Sequence, residues 1–422
     1  MIEALLERFS FDKRVVAAAV AAERRTAGLT YPHNARVRAS VLRAFADEGV
    51  AEYDLWGTLG YGYDDAARRA YENLLARVLG AERALARLSL VSGTHAIVTA
   101  IAACAPPGTR LVVATGRPYD TLRNALADDE RSLRARGVEY AEVPLGADGG
   151  PDLAAIAAAC EPGCAVAFVQ RSRGYAPRRS LTVAECGAVA AAVKAAAPDA
   201  TVVVDNCYGE LVEASEPCAH GADLVAGSLI KNLGGALAPA GAYVAGRAGC
   251  IERVASYHYA PGLGAALGPT LGFGRQFVQG LFVAPLTVGE VLRGLDFFAA
   301  LFEELGYRVD PGCGAARTDI VQAITLGDAE RLVTFARGMQ AAMPVNARYR
   351  PEPGGVPGYR EPVIMSSGSF VAGATIELSC DAPLRPPFEV YVQGGVVREH
   401  AALGALYAAD ALARAGKLRP GA

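Results

Sequence analysis

The chain has 422 residues, of which 52% are hydrophobic and 20% are charged, so it holds enough apolar material for a globular core. Its net charge of −3 excludes the broad basic face that nucleic acid requires. The apolar runs are broken by charged residues or glycine, and none reaches the roughly 18 residues of a membrane span. The start of the chain is amphipathic and contains acids, unlike a secretory signal. We therefore expect a cytoplasmic protein that binds neither nucleic acid nor a membrane.

Helices and a glycine-rich loop open the chain. Residues 1 to about 50 have apolar side chains three and four positions apart, which predicts helices. In the loop that follows, WGTLGYGYDD at 56–65, the glycines around Tyr61 let the backbone approach another group closely. A plain interdomain loop with aromatic packing explains this segment equally well. Asp64 is expected to cap the next helix, and Gly80 suits the position just after its end.

A small-residue turn, Ser92-Gly93-Thr94, opens a predicted helix that runs to about Cys104. The free amides and the dipole at such a helix start can bind a phosphate, and the two hydroxyl groups add donors. Serine and threonine are also among the commonest N-caps, so the turn alone is weak evidence. It gains weight from the aspartate and the lysine that follow in the same α/β half of the chain.

Short strands and helices alternate from residue 84 to residue 245, which predicts a mostly parallel sheet with helices on both faces. Ligands bind at the carboxyl edge of such sheets, so polar residues that follow a strand are site candidates. Gln170 ends one predicted strand, and Tyr119, at the head of a helix, could stack on a planar ring. Packing on the sheet edge is at least as common a role for such a tyrosine.

An aspartate and a lysine follow two consecutive predicted strands. Asp205 ends a β-branched strand, and Lys231 follows the next apolar run. Both side chains can therefore face one crevice at the carboxyl edge of the sheet. A pyridoxal phosphate (PLP) site needs this pair, because a lysine forms the Schiff base with the aldehyde and a carboxylate keeps the pyridinium nitrogen protonated. A solvated structural lysine is the common alternative, which the acid strand and the phosphate turn disfavour.

From about residue 306 the chain predicts a small α+β domain. Its expected elements are strands at 320–326 and 375–379 and helices at 328–342 and 397–415.

Two sequence patterns indicate other kinds of site, a zinc site and a serine acyl-enzyme site. Cys160 and Cys164 are spaced as in some zinc sites, but no second pair or nearby histidine completes four ligands. Ser228 and Lys231 form the Ser-x-x-Lys spacing of serine acyl enzymes, but the companion Ser-Asp-Asn and Lys-Thr-Gly motifs do not occur. Both patterns are therefore disfavoured, and we predict no metal site.

Seven segments of the sequence resemble the methionine γ-lyase-like family of fold type I PLP enzymes. That family is also called the aluminium resistance proteins and is related to the cystathionine lyases. The segments are SGTHAI at 92–97, GRPYDTL at 116–122, QRSRGY at 170–175, DNCYGE at 205–210, GADLVAGSLIKNLGG at 221–235, VIMSSGSFVAGATIELSCDAPLR at 363–385 and VQGG at 392–395. The match covers nearly the whole chain in order.

The resemblance implies an α/β protein with the aspartate aminotransferase-like fold. It combines a large domain, built on a mostly parallel seven-stranded sheet, with a small α+β C-terminal domain. We expect an N-terminal helical segment with an interface loop at 1–60, a PLP-binding domain at 61–300 and a small domain at 301–422. The family also implies a homotetramer with active sites at the subunit interfaces.

The resemblance assigns roles position by position. Lys231 would hold PLP and Asp205 would pair with its ring nitrogen. The other cofactor-binding residues would be Ser92, Gly93, Thr94 and Ser228 at the phosphate, Tyr119 stacked on the ring, and Gln170, Tyr208 and Tyr61. The substrate carboxylate would bind Arg385, Arg171 or Arg360.

Tyr61 resembles the tyrosine that cystathionine-lyase relatives lend from a neighbouring subunit. Those relatives have Tyr-x-Arg at this point, whereas this chain has Tyr61-Gly62-Tyr63. The arginine that clamps the phosphate is therefore absent or supplied from elsewhere in the chain.

The expected function is a PLP-dependent carbon–sulfur lyase that acts on an amino acid of the cystathionine, methionine or cysteine type by β- or γ-elimination. Lys231 would act as the base, with a pKa lowered by burial and by the cofactor, and Tyr119 or Lys231 would protonate the leaving group. The alternatives are an aminotransferase, a γ-replacement synthase or a non-catalytic PLP-fold stress protein.

Overall fold

Two β-sheets and their helices make up this computed structural model, which describes residues 1–161 and 163–419, with only the backbone of Pro32 and His33. The first sheet contains β1 (Arg83–Arg87), β2 (Arg110–Val113), β3 (Glu139–Glu142), β4 (Cys164–Gln170), β5 (Thr201–Asp205), β6 (Leu224–Ser228) and β7 (Ala242–Gly246). The second contains β8 (Arg308–Asp310), β9 (Val321–Thr325), β10 (Val363–Ser367), β11 (Ser379–Pro383) and β12 (Glu389–Gln393).

The α-helices that accompany these sheets are α1 (Ile2–Leu6), α2 (Lys13–Thr26), α3 (Pro32–Glu48), α4 (Ala66–Leu79), α5 (Gly93–Cys104), α6 (Asp120–Arg123), α7 (Leu153–Cys160), α8 (Val183–Ala196), α9 (Ala248–His258), α10 (Gly274–Glu304), α11 (Ala329–Gln340) and α12 (Arg398–Arg414). None of the helices in the described residues is long and apolar enough to cross a membrane.

The first sheet has the strand order β1-β7-β6-β5-β4-β2-β3. Its strands from β3 across to β6 pair in parallel, whereas β7 is antiparallel to both β6 and β1. This confirms the mostly parallel sheet that the alternating pattern predicts, with the seven strands that the resemblance implies. β5, β6 and β7 are buried at every residue, as expected for strands covered on both faces.

The register of the central strands brings their carboxyl ends to one edge. Gln170, the last residue of β4, pairs with Asp205, the last residue of β5, and Asp205 pairs with Ala226 in β6. The edge that binds ligands in open α/β sheets therefore carries an amide and a carboxylate on adjacent strands.

The ends of the helices follow from local capping. Asp65, not Asp64, caps α4, since its side chain accepts from Arg68 N, and Asp64 has a positive φ of 53°. The expected cap is thus wrong by one residue. Gly80 ends α4 in the left-handed conformation, as expected. Ser92 caps α5 by accepting from His95 N.

Packing divides the chain into two units. One consists of Met1–Asn34, Tyr175–Arg179 and Leu286–Ala422, and the other of Ala35–Gly174 and Ser180–Pro285. This division differs from the three parts expected from the sequence, because α1 and α2 group with the second sheet and α10 contributes to both units.

The second sheet is antiparallel, in the order β10-β11-β12-β9-β8. The strand expected at 375–379 is wrong, because β11 begins only at Ser379. Glu377 explains the difference: its backbone N donates to Ala374 O, and its carboxylate accepts from Phe370 N at 2.9 Å. These bonds turn the segment back on itself before the strand begins.

Candidate active site

The turn that precedes α5 lies against the ends of β5 and β6. A Cβ on Gly93 would lie 3.1 Å from Cys207 Sγ and 3.4 Å from the backbone N of Ser228. Glycine therefore allows a closer approach than any other residue. The amides at the start of α5, the predicted phosphate-binding turn, lie beside the residues that follow Asp205 and beside Ser228.

Tyr119 connects this turn to the end of β4. Its hydroxyl lies 2.7 Å from Thr94 Oγ1, and its backbone N donates to Gln170 Oε1 at 2.9 Å. Burial, together with the negative charge of Asp205, raises the pKa of Tyr119 well above its ordinary value. Tyr119 therefore keeps its proton near neutral pH.

Asp205 is buried at the carboxyl end of β5. One of its carboxylate oxygens, Oδ1, accepts from Cys207 N at 3.0 Å, which fixes the orientation of the side chain. Its charge contributes to the raised pKa values of Tyr119 and Lys231. The structure therefore brings the predicted acid, tyrosine and lysine into one electrostatic neighbourhood.

Lys231 follows β6, and its Nζ lies 3.8 Å from the centre of the Tyr208 ring. Burial acts to lower the pKa of Lys231, but Cys207 and Tyr208 outweigh this effect. Asp205 and a hydrogen bond with Tyr208 act in the same direction, so the pKa is raised. In the chain without cofactor, the expected lowering of the Lys231 pKa by burial is outweighed, because Cys207, Tyr208 and the Asp205 carboxylate favour the ammonium form.

Three residues that the sequence interpretation did not select complete this neighbourhood. Asn232 donates from Nδ2 to the backbone oxygens of Tyr208 and Glu210, at 3.0 and 2.8 Å. Glu210 Oε1 in turn accepts from Tyr243 Oη at 2.9 Å. Glu210 belongs to the DNCYGE segment, but only the fold reveals its contact with Tyr243 on β7.

The three candidate arginines have different surroundings. Arg171 is fully buried, and its Nη2 and Nη1 contact Glu213 Oε2 at 2.6 Å and Glu216 Oε2 at 3.7 Å. These carboxylates give it a structural role. Arg385 contacts Glu361 at 3.4 Å, and Arg360 is exposed; both belong to the unit that contains the second sheet.

The two cysteines with zinc-like spacing contact each other. The thiols of Cys160 and Cys164 form a hydrogen bond. This bond and burial raise the pKa of Cys160, whereas the same bond, helped by the charge of Arg110 and opposed by burial, lowers that of Cys164. Across residues 1–161 and 163–419, no three His, Cys, Asp or Glu side chains form a group that could hold a metal ion.

Comparison with known proteins places the chain in a family. Its sequence matches the profile of the methionine γ-lyase family over residues 17–413. The chain belongs to the methionine γ-lyase family. The resemblance found in the sequence motifs is therefore confirmed, and with it the fold type I class of the first sheet and its helices.

Relatives in the methionine γ-lyase family match nearly the whole chain. A Listeria monocytogenes protein, provisionally described as a cystathionine β-lyase involved in aluminium resistance, is 38% identical, with a TM-score of 0.90 over 93% of this chain and 98% of that one. A Clostridium novyi carbon–sulfur lyase involved in aluminium resistance is 35% identical, with a TM-score of 0.91 over 97% and 98%. YnbB of Bacillus subtilis, an uncharacterized protein, is 41% identical over 88% of this chain and 89% of its own length.

The residues of this member of the family fit PLP. An amine at Lys231, a carboxylate at Asp205 and a helix start with free amides match the aldehyde, the ring nitrogen and the phosphate of the cofactor. At Gly93 a Cβ would lie 3.4 Å from Ser228 N, so glycine lets the free amides of the helix start approach Ser228, the other predicted phosphate ligand. PLP, the cofactor of the fold type I family, is thus compatible with the chemistry of the donor set.

The loop that carries Tyr61 is exposed but firmly held. Asp65 Oδ2 accepts from the backbone N and the hydroxyl of both Thr58 and Thr270, at 2.7–2.9 Å. Arg68 Nη1 donates to the backbone oxygen of Gly62 at 2.6 Å. The exposed side chains of this loop are Trp56 (64%), Leu59 (76%), Tyr61 (75%) and Tyr63 (57%).

Proposed function

We propose that this protein is a PLP-dependent carbon–sulfur lyase that acts on an amino acid of the cystathionine, methionine or cysteine type by β- or γ-elimination. The convergence of Lys231, Asp205 and the turn at 92–94 on one edge of the sheet carries this proposal. Membership of the methionine γ-lyase family supports it. So do the names given to the Listeria and Clostridium relatives.

Each residue of the site has a distinct task in the proposed reaction. When bound, PLP supplies an aldehyde for amino groups and a ring that withdraws electrons from the substrate α-carbon. Lys231 Nζ holds the cofactor and, once released, removes the α-proton. Asp205 keeps a proton on the ring nitrogen. Tyr119, which retains its own proton, or Lys231 donates a proton to the leaving sulfur.

The remaining residues bind and orient. Ser92, Gly93, Thr94 and Ser228 surround the phosphate, Tyr119 stacks on the ring, and Gln170 holds the backbone of Tyr119 in place. Arg385 and Arg360 remain the candidates for the substrate carboxylate, since Arg171 is occupied by Glu213 and Glu216.

The exposed loop at 56–64 supports a homo-oligomer, which we propose to be a tetramer. Its four apolar or aromatic side chains project from a backbone that Asp65 and Arg68 hold in place. A rigid exposed aromatic surface loses little entropy when it packs against a partner. In this proposal Tyr61 enters the active site of a neighbouring copy.

An absorbance scan and substrate titration of the purified protein test the proposed function. We expect visible absorbance from lysine-bound cofactor. From cystathionine or methionine we expect pyruvate or 2-oxobutyrate with ammonia and a thiol, and from cysteine we expect pyruvate, ammonia and hydrogen sulfide. Lys231→Ala should lose the absorbance and the turnover. Lys417→Ala, which removes a surface ammonium paired with Glu330 at 2.8 Å, should retain both.

Two outcomes would contradict the proposal. Transfer of the amino group to an oxo acid without release of a sulfur product would indicate an aminotransferase. Retention of both the absorbance and the turnover in Lys231→Ala would exclude this lysine as the cofactor-binding residue.

A further inference from the structure

Glu210 is a buried acid to which the proposed reaction gives no task. Its side chain is completely buried, and Oε1 accepts from Tyr243 Oη at 2.9 Å. Its second oxygen, Oε2, has no hydrogen-bond partner among the residues that the structure describes. The carboxyl group is fully buried, and its hydrogen-bond donors, the Tyr243 phenol and a backbone group of Glu210 itself, are neutral, so this site favours a protonated carboxylic acid.

The acid lies in the segment after β5 and packs against β6, the strand that leads to Lys231. A Cβ on Gly227, the residue before Ser228, would lie 2.6 Å from Glu210 Oε1 and 2.8 Å from the Tyr243 ring. The carboxyl group therefore packs directly on the backbone of β6. Asn232, which follows Lys231, ties the backbone of Glu210 to this segment at 2.8 Å. Glu210 and Lys231 are thus held in a fixed relation from two sides.

The charged and titratable groups that face Glu210 come from several elements. Tyr243 lies on β7, Glu216 lies beyond β5, and Lys231 follows β6; Cys207, between β5 and Glu210, is also within electrostatic range. Burial dominates and raises the pKa of Glu210 to about 8, although a backbone hydrogen bond of Glu210 itself, the hydrogen bond from Tyr243 and the charge of Lys231 act to lower it.

We propose that Glu210 is a positioning residue that controls the protonation of Lys231 Nζ through its own charge. As a neutral acid it adds no charge to the groups that already favour the ammonium form of Lys231, and on ionisation it adds a further negative charge, besides that of Asp205, that holds the proton on Nζ more strongly. The effect of Glu210 on turnover rests on the proposed function. Its effect on the protonation of Lys231 can be measured in the chain without cofactor.

An infrared titration of the cofactor-free protein tests the first half of this inference. The difference spectrum between the native chain and Glu210→Gln should contain the C=O stretch of a protonated carboxylic acid at pH 7, with a midpoint of loss near pH 8. Tyr243→Phe retains the acid but removes its donor, so the midpoint should move to higher pH. Absence of the band at pH 7 would overturn the proposal.

Chemical labelling of Lys231 tests the second half. The rate of acylation of Nζ by acetic anhydride, followed by peptide mass spectrometry against pH, reports the fraction of free amine. Glu210→Gln should lower the midpoint of labelling by about one pH unit, the size of effect expected from one nearby charge. Glu252→Gln, which removes an exposed carboxylate on α9, is the matched control and should leave the midpoint unchanged.

The pH dependence of turnover in the PLP-loaded enzyme tests whether the protonation of Glu210 and Lys231 affects catalysis. The turnover of the native protein should decline above about pH 8, and this decline should weaken in Glu210→Gln. An unchanged labelling midpoint in Glu210→Gln would overturn the proposal even if the acid is protonated. If Glu210→Gln does not fold, the infrared and labelling midpoints of Tyr243→Phe decide, since both should move together. Because infrared and labelling use the cofactor-free chain, a failure of PLP binding would refute the proposed function without deciding the role of Glu210.

Discussion

Two clusters of charged residues lie in the unit that contains the first sheet. One pairs its charges completely, and the other leaves ionisable groups only partly compensated. The arginine cluster consists of Arg171, Asn206, Glu213 and Glu216. The lysine cluster consists of Asp205, Tyr208, Glu210, Lys231 and Tyr243. Both clusters contain residues from the short segment after β5. The lysine cluster contains the groups that we propose to exchange protons in the reaction.

The arginine cluster pairs opposite charges. Arg171 reaches Glu213 at 2.6 Å, and the two oxygens of Glu216 accept from Asn206 Nδ2 at 2.9 Å and Leu211 N at 2.7 Å. Burial acts to lower the pKa of Arg171, but Glu216 and Glu213 outweigh it and raise the pKa. Such a cluster holds fixed charges and stabilises the fold only while it is complete.

The lysine cluster keeps ionisable groups that are only partly compensated. Glu210 Oε1 accepts from the Tyr243 phenol, Oε2 has no hydrogen-bond partner among the described residues, and Lys231 lies against the Tyr208 ring. Small changes in the local charge can therefore move protons within this cluster. Perturbed groups of this kind are concentrated at functional sites, whereas complete ion pairs are typical of structural ones.

The largest effect that would sharpen this comparison is on stability. Arg171→Ala should lower the free energy of unfolding by about 3–5 kcal/mol, because it leaves the buried Glu216 and the partly buried Glu213 without a cation. Urea denaturation measures this change. Arg131→Ala, which removes an arginine from an exposed pair with Glu130, is the control and should change stability by less than about 1 kcal/mol. Equal small changes in both variants would remove the distinction between the clusters.

The pH dependence of stability should depend on Glu210. Its pKa is about 8 in the folded chain against an ordinary 4.5, so between these values the folded chain holds a proton that the unfolded chain has lost. Unfolding is therefore favoured progressively as pH rises from about 4.5 to about 8, by an amount on the order of a few kcal/mol. In Glu210→Gln the thermal midpoint should fall less steeply over this range. An identical slope in both proteins would contradict a protonated Glu210.

The third prediction, with the smallest change in free energy, is a lower turnover when the charge of Asp205 is removed. Asp205→Asn keeps an oxygen for Cys207 N but removes the charge, so the chain should remain folded. Turnover should decrease by roughly a hundredfold or more, as is common when one preorganised electrostatic group is removed. Steady-state kinetics with a saturating supply of PLP measures the decrease, and a circular dichroism melt checks folding. A variant that loses stability but keeps its rate would assign Asp205 to the structural class with Arg171.

Much of the site follows from the sequence because it depends on local pattern. Alternation of strands and helices predicts the parallel sheet, and the strand that ends on Asp205 predicts where its carboxylate lies. The turn at 92–94 and Lys231 follow from the same topology. These features need only the rule that parallel strands end at one edge.

The features that the sequence did not reveal depend on contacts between distant segments. In the sequence, Glu210 looks like a polar turn residue. Its role depends on the hydrogen bond from Tyr243, which lies on β7, a strand that follows Lys231. In the sequence, Arg171 is a candidate substrate ligand, and its contacts with Glu213 and Glu216 are visible only in the structure. The direction of the Lys231 pKa was missed for the same reason, since burial alone does not include the charges that the fold places around it.

The central claim is that Lys231 Nζ forms the covalent link to PLP. Reduction of the PLP-loaded protein with borohydride, followed by digestion and mass spectrometry, makes this link permanent and locates it. The account predicts a single phosphopyridoxyl group on the peptide that contains Lys231. A modification on another lysine, or an unmodified Lys231 peptide from protein that shows the cofactor absorbance, would contradict it.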